Sequence, residues 1–493
     1  MTTCASNRRW TWGLTLTTAS DQSGFRRLRD AIEAVVRLRQ QAWHAIVEHL
    51  SRLRPAGDGG ETTRASRVRR VCVLVSSSRG GGSVTAEMLQ WQGAECDVWG
   101  RRILSLPGEE KPHLILAGLA YPARSERYDD LEAPDACASA VEGLLNEVSS
   151  EIGYPAAQTS DWHLYASQLY RRLLLQWPFE MIRLHPEAVT CSIADTLLRA
   201  FPEGYRDTPD NRRRVLDCCV SCFPFIRSSF YDCGILRNTS DARLLAHGAW
   251  SYEEPPFVLP PPWHHASAAE VECGTLLLRD PSNAWRLPFW RVTFPTQDIR
   301  LLHLVRDVAE SVQGLCDGWN YVFGFQTLPS DLPLRISGYS NHVTSVETAW
   351  KRFRLNFSVD RQLSELLLTD RRPMELAHVC SMQWRFAHER ILADASILSL
   401  PRLQLQFSDV RSQPLQALEN ACVALNLGVS KSGADYGRSF SSRRVMATDT
   451  NDRGVSFERW RQSPYASVIT RLAKSEDVAN VARCLGLTRV RDD

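Results

Sequence analysis

Residues 71–90, VCVLVSSSRGGGSVTAEMLQ, decide the fold class of this chain. The first part is short, apolar and rich in β-branched residues, as in a buried strand of a parallel sheet, and from residue 84 the apolar residues follow a helical spacing. The glycines therefore stand where a strand ends and a helix begins. There Gly80, Gly81 and Gly82 can adopt φ > 0 and let an anion approach the unpaired N–H groups of the helix. The stretch predicts a phosphate-binding loop.

The loop lacks the Lys-Ser/Thr pair that closes a Walker A sequence, and Arg79 precedes its glycines instead. ATP bound with magnesium is therefore not favoured. Only four of the 58 basic residues are lysines, so arginines would have to neutralise a bound phosphate. A Gly/Ser-rich loop after a strand is also an ordinary surface turn, and the loop by itself does not decide between the two.

A second phosphate-binding element is predicted at residues 298–319, DIRLLHLVRDVAESVQGLCDGW. Its beginning has the apolar composition of a strand, and a short helix follows. Arg306 stands between the two, where it can bind a phosphate. The alternative is that Arg306 forms a surface ion pair with Asp307 or Glu310.

The order Ser-Ser-x-Arg-Gly-Gly-Gly-Ser, followed downstream by a strand, an arginine and a helix, resembles the two nucleotide clamps of sulfotransferases. In that family the first loop grips the 5′-phosphate of 3′-phosphoadenosine 5′-phosphosulfate (PAPS), and the second element holds its 3′-phosphate. In much of the family a serine stands eight residues after the arginine, but here that position is Gly314 and the hydroxyl is Ser311. Since positions three apart share a helix face, Ser311 is expected to reach the same phosphate.

The resemblance implies PAPS as the co-substrate, bound by Ser78, Arg79, Gly80, Gly81, Gly82, Ser83, Val84, Arg306 and Ser311. The backbone N–H groups of residues 79–83 are expected to bind the 5′-phosphate, with the Ser83 hydroxyl as a further donor. A stretch at 432–454 rich in Gly, Ser and Arg is expected to cover the nucleotide through Arg438, Arg443 and Arg444, unless it is an ordinary solvated loop.

The catalytic residues implied by the resemblance are Glu110, Glu109, Arg79 and Arg279. The acidic pair lies in LSLPGEEKP and matches the Gly-Glu-Glu stretch of tyrosylprotein and related sulfotransferases, whose second glutamate is the catalytic base. Arg279, in LLLRDPSN, stands where those enzymes carry a lysine. Arg79 and Arg279 would neutralise the charge that develops on the sulfuryl group and the leaving phosphate. The alternatives for the glutamates are that they cap the turn at Gly108 or form an ion pair with Lys111.

Further motifs extend the resemblance over about residues 70–490, namely EEPPFV, PSNAWRLPFW, GLCDGW, GYS near Tyr339 and CSMQWRFAH. The fold class implied is α/β, with a central parallel sheet flanked by helices as in P-loop NTPases and a largely helical insertion. Residues 67–493 would form the sulfotransferase domain, with a helical and Pro-rich insertion at 120–273 on the acceptor side. The aromatic residues of the insertion would line a pocket for a bulky acceptor or build the insertion's own core.

Residues 1–66 are expected to hold an amphipathic helix at 24–55 and a linker. The helix would pack on the domain or on a homodimer partner rather than on a membrane, because acidic residues interrupt its positive face. No apolar run approaches the ~20 residues of a membrane span. The 14 cysteines have no framework spacing and no signal peptide is recognised, which favours reduced thiols in a cytoplasmic protein. Zinc is the less favoured alternative, at Cys218, Cys219, Cys222 and Cys233.

The function expected from the sequence is transfer of the sulfuryl group of PAPS to a hydroxyl or amine of a small-molecule or natural-product acceptor, without a metal ion. A net charge of +2 argues against nucleic acid as a partner. Two alternatives stay open. A nucleotide-dependent phosphotransferase or hydrolase would need a lysine in the loop and an acidic magnesium ligand. A non-catalytic nucleotide-binding protein of the same fold would keep the clamps and lack the base.

Overall fold

The computed structural model describes residues 64–106, 141–231, 259–320, 374–440 and 459–487, together with strand fragments at 328–329, 336–337 and 342–343. Short gaps interrupt these ranges at 142–143, 147, 182, 229–230, 280–282 and 285. The predicted N-terminal helix at 24–55 lies outside the described residues.

The core of the chain is a parallel sheet of five strands. The strands are β1 (Arg70–Val75), β2 (Ile103–Leu104), β3 (Thr275–Arg279), β4 (Asp298–Val305) and β5 (Arg402–Gln406). Their order across the sheet is β5-β4-β1-β3-β2, and every neighbouring pair is parallel. β1 therefore has a partner on both sides and is the central strand, as its short β-branched sequence predicts.

The main helices are α1 (Gly82–Gln92), α2 (Trp162–Gln176), α3 (Pro186–Ala200), α4 (Pro209–Cys222), α5 (Leu287–Thr293), α6 (Val308–Asn320), α7 (Leu376–Ile397), α8 (Phe407–Ser412), α9 (Pro414–Ala424), α10 (Lys431–Ser439), α11 (Ala466–Ala473) and α12 (Glu476–Cys484). Shorter helices lie at Arg64–Arg67, Pro178–Met181, Ala268–Cys273 and, as a 3₁₀ turn, Arg459–Gln462.

The helices cover both faces of the sheet. Because successive side chains of a strand point to opposite faces, Cys72 and Leu74 of β1 pack in one cluster with residues of α1, α9 and α10. Val71 and Val73 pack in a larger cluster with residues of α6 and α7 on the other face. The predicted α/β class, with a central parallel sheet flanked by helices, is confirmed.

The register of the sheet brings four strand ends together. Leu74 pairs with Arg279, Val75 pairs with His303, and Gln406 pairs with Val305. The carboxyl ends of β1, β3, β4 and β5 therefore meet at one edge, which is where open parallel sheets bind their ligands. The predicted loop follows β1, Arg306 follows β4, and Arg279 is the last residue of β3.

The described part of the predicted insertion at 120–273 is largely helical and contains α2, α3 and α4. Three of its aromatic rings pack on one another and are buried: Tyr165 on Tyr205, with ring centroids 5.3 Å apart, and Phe201 on Tyr205, at 5.4 Å. These rings belong to the insertion's own core, which is one of the two roles expected for them. Within the described residues, no helix has both the length and the apolar character of a membrane span.

Candidate functional site

The loop between β1 and α1 has two buried serines at its start. Ser76 and Ser77 are 8% and 2% exposed, and the N–H of Gly80 donates to the Ser77 carbonyl across 3.0 Å. The Ser77 hydroxyl has no hydrogen-bond partner among the described residues. A buried hydroxyl without a partner is costly unless a ligand or water satisfies it, so this hydroxyl is available to an anion in the loop.

The backbone of the loop is left-handed at two positions, Arg79 (φ 63°) and Gly81 (φ 93°). Gly80 and Gly82 are not left-handed, although the sequence allowed it for all three glycines. Gly81 has a second reason to be glycine, because a Cβ there would overlap the ring of Phe407. Gly82 is the first residue of α1, and the N–H groups of a first helical turn have no carbonyl partner within the helix. The predicted strand, loop and helix are confirmed, and the loop presents the positive end of α1.

Arg279 lies against this helix N-terminus. It is the last residue of β3, is 9% exposed, and donates from Nη2 to the Ser83 hydroxyl across 2.8 Å. A Cβ at Gly82 would stand 3.2 Å from Nε and Nη2 of Arg279, so the glycine leaves room for the guanidinium. A hydroxyl that accepts one hydrogen bond still has its own proton to donate. Two residues predicted from separate motifs therefore form one donor pair at the start of α1.

Asn283 holds the end of β3 beside the end of β1. Its side-chain amide is fully buried and lies within hydrogen-bond distance of the carbonyls of Leu74 and Leu278, at 3.2 and 3.3 Å. The amide oxygen accepts from Nε1 of Trp290 at 3.1 Å. Sequence reasoning passed over Asn283, because a lone asparagine after a strand usually indicates a turn.

Arg306 follows β4 and contacts the loop directly. Its Nη1 donates to the Arg79 carbonyl across 3.0 Å, and its Nε donates to Glu310 Oε2 across 3.0 Å. The ion pair with Glu310, which the sequence offered as an alternative to phosphate binding, is therefore present. It leaves Nη2 of Arg306, which donates to no atom of the described residues. One guanidinium can hold the loop, pair with a carboxylate and still bind a ligand.

Ser311 and Gly314, on helix α6, face different surroundings. Ser311 is fully buried and its hydroxyl bonds to the Arg306 carbonyl at 3.4 Å. A Cβ at Gly314 would stand 3.4 Å from Cβ of Arg79 and 3.6 Å from Nη1 of Arg306. The eighth position after the arginine therefore faces the loop, and the fifth faces the backbone. The predicted contact of Ser311 with a phosphate would require its hydroxyl to leave this carbonyl.

Two further arginines, which the sequence analysis does not predict as site residues, lie near Arg306 and Glu310. Arg411 of α8 lies with Nη1 at 3.7 Å from Oε2 of Glu310. Arg459 pairs with Asp317 of α6. Burial lowers the pKa of Arg459, and the nearby charges of Arg306 and Arg79 lower it further. Burial also lowers the pKa of Arg411. The charge of Glu310 opposes this decrease, and the charge of Arg306 adds to it. Positive charges are therefore crowded here, as an anion site requires.

Asp307 is the acidic residue that directly follows Arg306. It directly precedes α6, and its carboxylate accepts from the Glu310 N–H at 3.1 Å. Burial raises the pKa of Asp307, with the Glu310 charge adding to the increase and the N–H bonds opposing it. Of the arginines predicted to cover the nucleotide, Arg438 forms an exposed ion pair with Asp435 on α10, and Arg443 and Arg444 lie outside the described residues.

The predicted acidic pair, Glu109 and Glu110, also lies outside the described residues. Among the described residues, no group of three or more His, Cys, Asp or Glu side chains is arranged to hold a metal ion. Of the four cysteines considered for zinc, Cys218, Cys219 and Cys222 are free thiols along α4, and Cys233 is not described.

No protein-family model and no curated protein matches the chain. Among solved structures it is similar to the sulfotransferase domain of the Synechococcus PCC 7002 olefin synthase, at 12% identity and a TM-score of 0.34 over 85% of this chain and 96% of that chain. It is also similar to the sulfotransferase domain from the curacin biosynthetic pathway. That match has 10% sequence identity and a TM-score of 0.33, and covers 86% of this chain and 100% of that chain. The match to the sulfotransferase STF9 from Mycobacterium avium has 12% sequence identity and a TM-score of 0.35, and covers 95% of this chain and 87% of that chain.

Proposed function

We propose that the chain is a sulfotransferase that moves the sulfuryl group of PAPS to a hydroxyl or amine of a small-molecule acceptor. The observation that carries the proposal is the contact of Arg306 with the Arg79 carbonyl at 3.0 Å. It joins the loop after β1 to the arginine after β4. The two elements, 227 residues apart in the sequence, are thus in contact at the carboxyl edge of the sheet, and this contact supports a single anion site there.

The residues of the site fit a nucleotide with phosphates at both ends of its ribose. The loop and the first turn of α1 offer backbone N–H groups, the buried Ser77 hydroxyl and the Ser83 hydroxyl to a 5′-phosphate. Nη2 of Arg306 would bind a 3′-phosphate, and Arg411 and Arg459 would add charge around it. A nucleotide with a 5′-phosphate alone would leave the second group of arginines unused.

PAPS, when bound, supplies the sulfuryl group and a phosphate leaving group. Transfer of such a group depends mainly on positioning and on stabilising the charge that spreads to the leaving oxygen. Arg279 and Ser83 are hydrogen-bonded to each other beside the start of α1, and they would donate to the departing phosphate. Arg79 would add its charge from the loop. We assign the base that takes the acceptor proton to Glu110, with Glu109 as the second choice.

Two measurements test the proposed function. Isothermal titration with adenosine 3′,5′-bisphosphate should show binding of one nucleotide per chain, and incubation with PAPS and hydroxylated small molecules should add a sulfonate mass to one of them. Glu110→Gln should keep the binding and lose the transfer. A chain that binds no bisphosphate is not a sulfotransferase of this kind. A chain that binds it and transfers to no acceptor, even slowly to water, would be a nucleotide-binding protein of this fold.

A further inference from the structure

We propose that Arg306 positions the loop after β1, so that the 5′ and 3′ ends of the nucleotide are bound with coupled affinities. This inference rests on the proposed function and goes beyond it, because it assigns to Arg306 a role in binding a group that it does not touch. The role is that of a positioning residue: Arg306 acts on the 5′-phosphate through the backbone of Arg79.

Arg79 is the strained residue of the loop. Its φ of 63° lies in the left-handed region, which is unfavourable for a residue with a Cβ. The peptide between Arg79 and Gly80 is held at both ends: its carbonyl accepts from Nη1 of Arg306 and its N–H donates to the Ser77 carbonyl, each across 3.0 Å. Since a peptide unit is planar, these two bonds fix the direction in which the next N–H groups of the loop point.

Arg306 is itself held in the orientation that makes this contact. Glu310 Oε2 accepts from Nε at 3.0 Å, and the guanidinium carbon lies 5.4 Å from the centre of the Phe407 ring. The same ring covers Gly81, where a Cβ would overlap it. The loop is therefore supported by β4 through Arg306 and by β5 through Phe407. A change at Arg306 alters the first support and leaves the second.

The consequence concerns ligands that lack a 3′-phosphate. If Arg306 is only a 3′-phosphate ligand, its removal does not change the affinity for adenosine 5′-monophosphate (5′-AMP). If Arg306 positions the loop, its removal lets Arg79 relax from the left-handed conformation, and 5′-AMP also binds more weakly. A lost hydrogen bond to a charged group corresponds to about tenfold in affinity.

The experiment is isothermal titration of the full chain and of Arg306→Ala with 5′-AMP and with adenosine 3′,5′-bisphosphate. We expect 5′-AMP to bind Arg306→Ala about tenfold more weakly than the unchanged chain, and the bisphosphate to lose more. The matched control is Arg385→Ala, which removes an arginine with the same pairing to a glutamate four residues later and should change neither affinity. Unchanged 5′-AMP binding by a folded Arg306→Ala variant overturns the inference and leaves the proposed function standing.

Two further variants keep the test decisive. If Arg306→Ala does not fold, Glu310→Gln removes the charge that orients Nε and keeps the guanidinium, and it should weaken 5′-AMP binding by about threefold. In an Arg79→Gly background, φ of 63° carries no penalty. There, Arg306→Ala should weaken the affinity of the chain for 5′-AMP by less than about threefold. An equal loss in the arginine and glycine backgrounds would contradict a role through the backbone of Arg79. Failure of the unchanged chain to bind either nucleotide would instead reject the proposed function.

Discussion

Arg279, the last residue of β3, donates from Nη2 to the hydroxyl of Ser83, the second residue of α1, across 2.8 Å. The bond joins the end of a strand to the start of a helix that follows a different strand. A guanidinium that is 9% exposed thus lies beside the positive end of a helix dipole. Such an arrangement places two sources of positive potential side by side, as a binding site for an anion requires.

Arg279→Ala is expected to lower turnover of PAPS by about a hundredfold, because it removes charge from the position where the leaving oxygen develops it. Affinity for adenosine 3′,5′-bisphosphate should fall less than tenfold. Arg279→Lys should keep part of the turnover, since it retains the charge. The turnover rates are measured from the release of adenosine 3′,5′-bisphosphate from PAPS, which ion-pair chromatography monitors. The control is Arg300→Ala, an ion-paired arginine nearer the other end of β4.

An equal loss of turnover and of bisphosphate affinity in Arg279→Ala would mean that this arginine binds the ground state as strongly as the transition state. Its catalytic assignment would then be wrong, although its place in the nucleotide site would stand.

Gly314→Ser is expected to tighten binding of adenosine 3′,5′-bisphosphate by about threefold to tenfold. A Cβ at this position has ordinary contact distances to Arg79 and Arg306, at 3.4 and 3.6 Å, so a hydroxyl can reach the same phosphate without a clash. Serine also replaces glycine inside a helix, which stabilises it by about 0.5 kcal/mol. Titration with the bisphosphate and with 5′-AMP separates a contact with the 3′-phosphate from a general effect of the more stable helix. A gain with 5′-AMP as large as with the bisphosphate would contradict a contact at the 3′ side.

The sequence predicted which elements form the site more accurately than which side chains face it. The strand, loop and helix at 71–90 and the arginine after β4 follow from local apolar spacing and glycines, which are short-range signals. Ser311 lies three positions from the family's serine, but three residues are about 60° short of a full helical turn, and the Ser311 hydroxyl bonds to the Arg306 carbonyl. Sequence spacing alone does not determine that contact.

Arg411 and Arg459 could not have been found from local pattern. They lie on α8 and on the 3₁₀ turn near the end of the chain, and only the register of β5 beside β4 and the packing of that turn on α6 bring them to Arg306. In a chain whose basic residues are almost all arginine, neither stands out in the sequence.

Gly81→Ala is expected to lower the free energy of unfolding by about 2–4 kcal/mol. The methyl group would meet the Phe407 ring, and φ of 93° is strained for alanine. Urea denaturation measures the loss. Adding Phe407→Ala to Gly81→Ala should remove the clash with the ring and leave the backbone strain. The double variant should therefore lose less free energy of unfolding than the sum of the losses in the two single variants. Strict additivity would show that the ring and the loop are not in contact.

His303 and His388 form a buried pair on the sheet face opposite α1. Nε2 of His303 lies 2.9 Å from Nδ1 of His388, and Nδ1 of His303 lies 3.0 Å from Nη1 of Arg402. Because a guanidinium only donates, Nδ1 of His303 accepts and its proton is on Nε2, which donates to His388. Both imidazoles are therefore neutral. Burial lowers the pKa of His388 to about 3. Burial, with His388 and the charge of Arg402 adding to the decrease, lowers the pKa of His303 well below its usual range.

Stability is therefore expected to fall as the pH decreases from about 6.5 towards 3. Both histidines take up protons more readily in the unfolded chain, so their contribution is fully present above the unfolded pKa and is lost below it. Each contributes a slope of about 1.4 kcal/mol per pH unit in this window. His388→Gln should remove about one proton from the uptake on unfolding, measured as urea stability from pH 7 to 4. An unchanged slope would mean that His388 is protonated in the folded chain.

The most direct measurement of the central claim is the affinity of the full chain for adenosine 3′,5′-bisphosphate compared with that for 5′-AMP. The claim is that the loop after β1 and the arginines around Arg306 bind opposite ends of one nucleotide. It predicts that the bisphosphate binds at least tenfold more tightly than 5′-AMP, and that Arg306→Ala removes most of this difference. Equal affinities for the two nucleotides, or a difference that Arg306→Ala leaves intact, would contradict it.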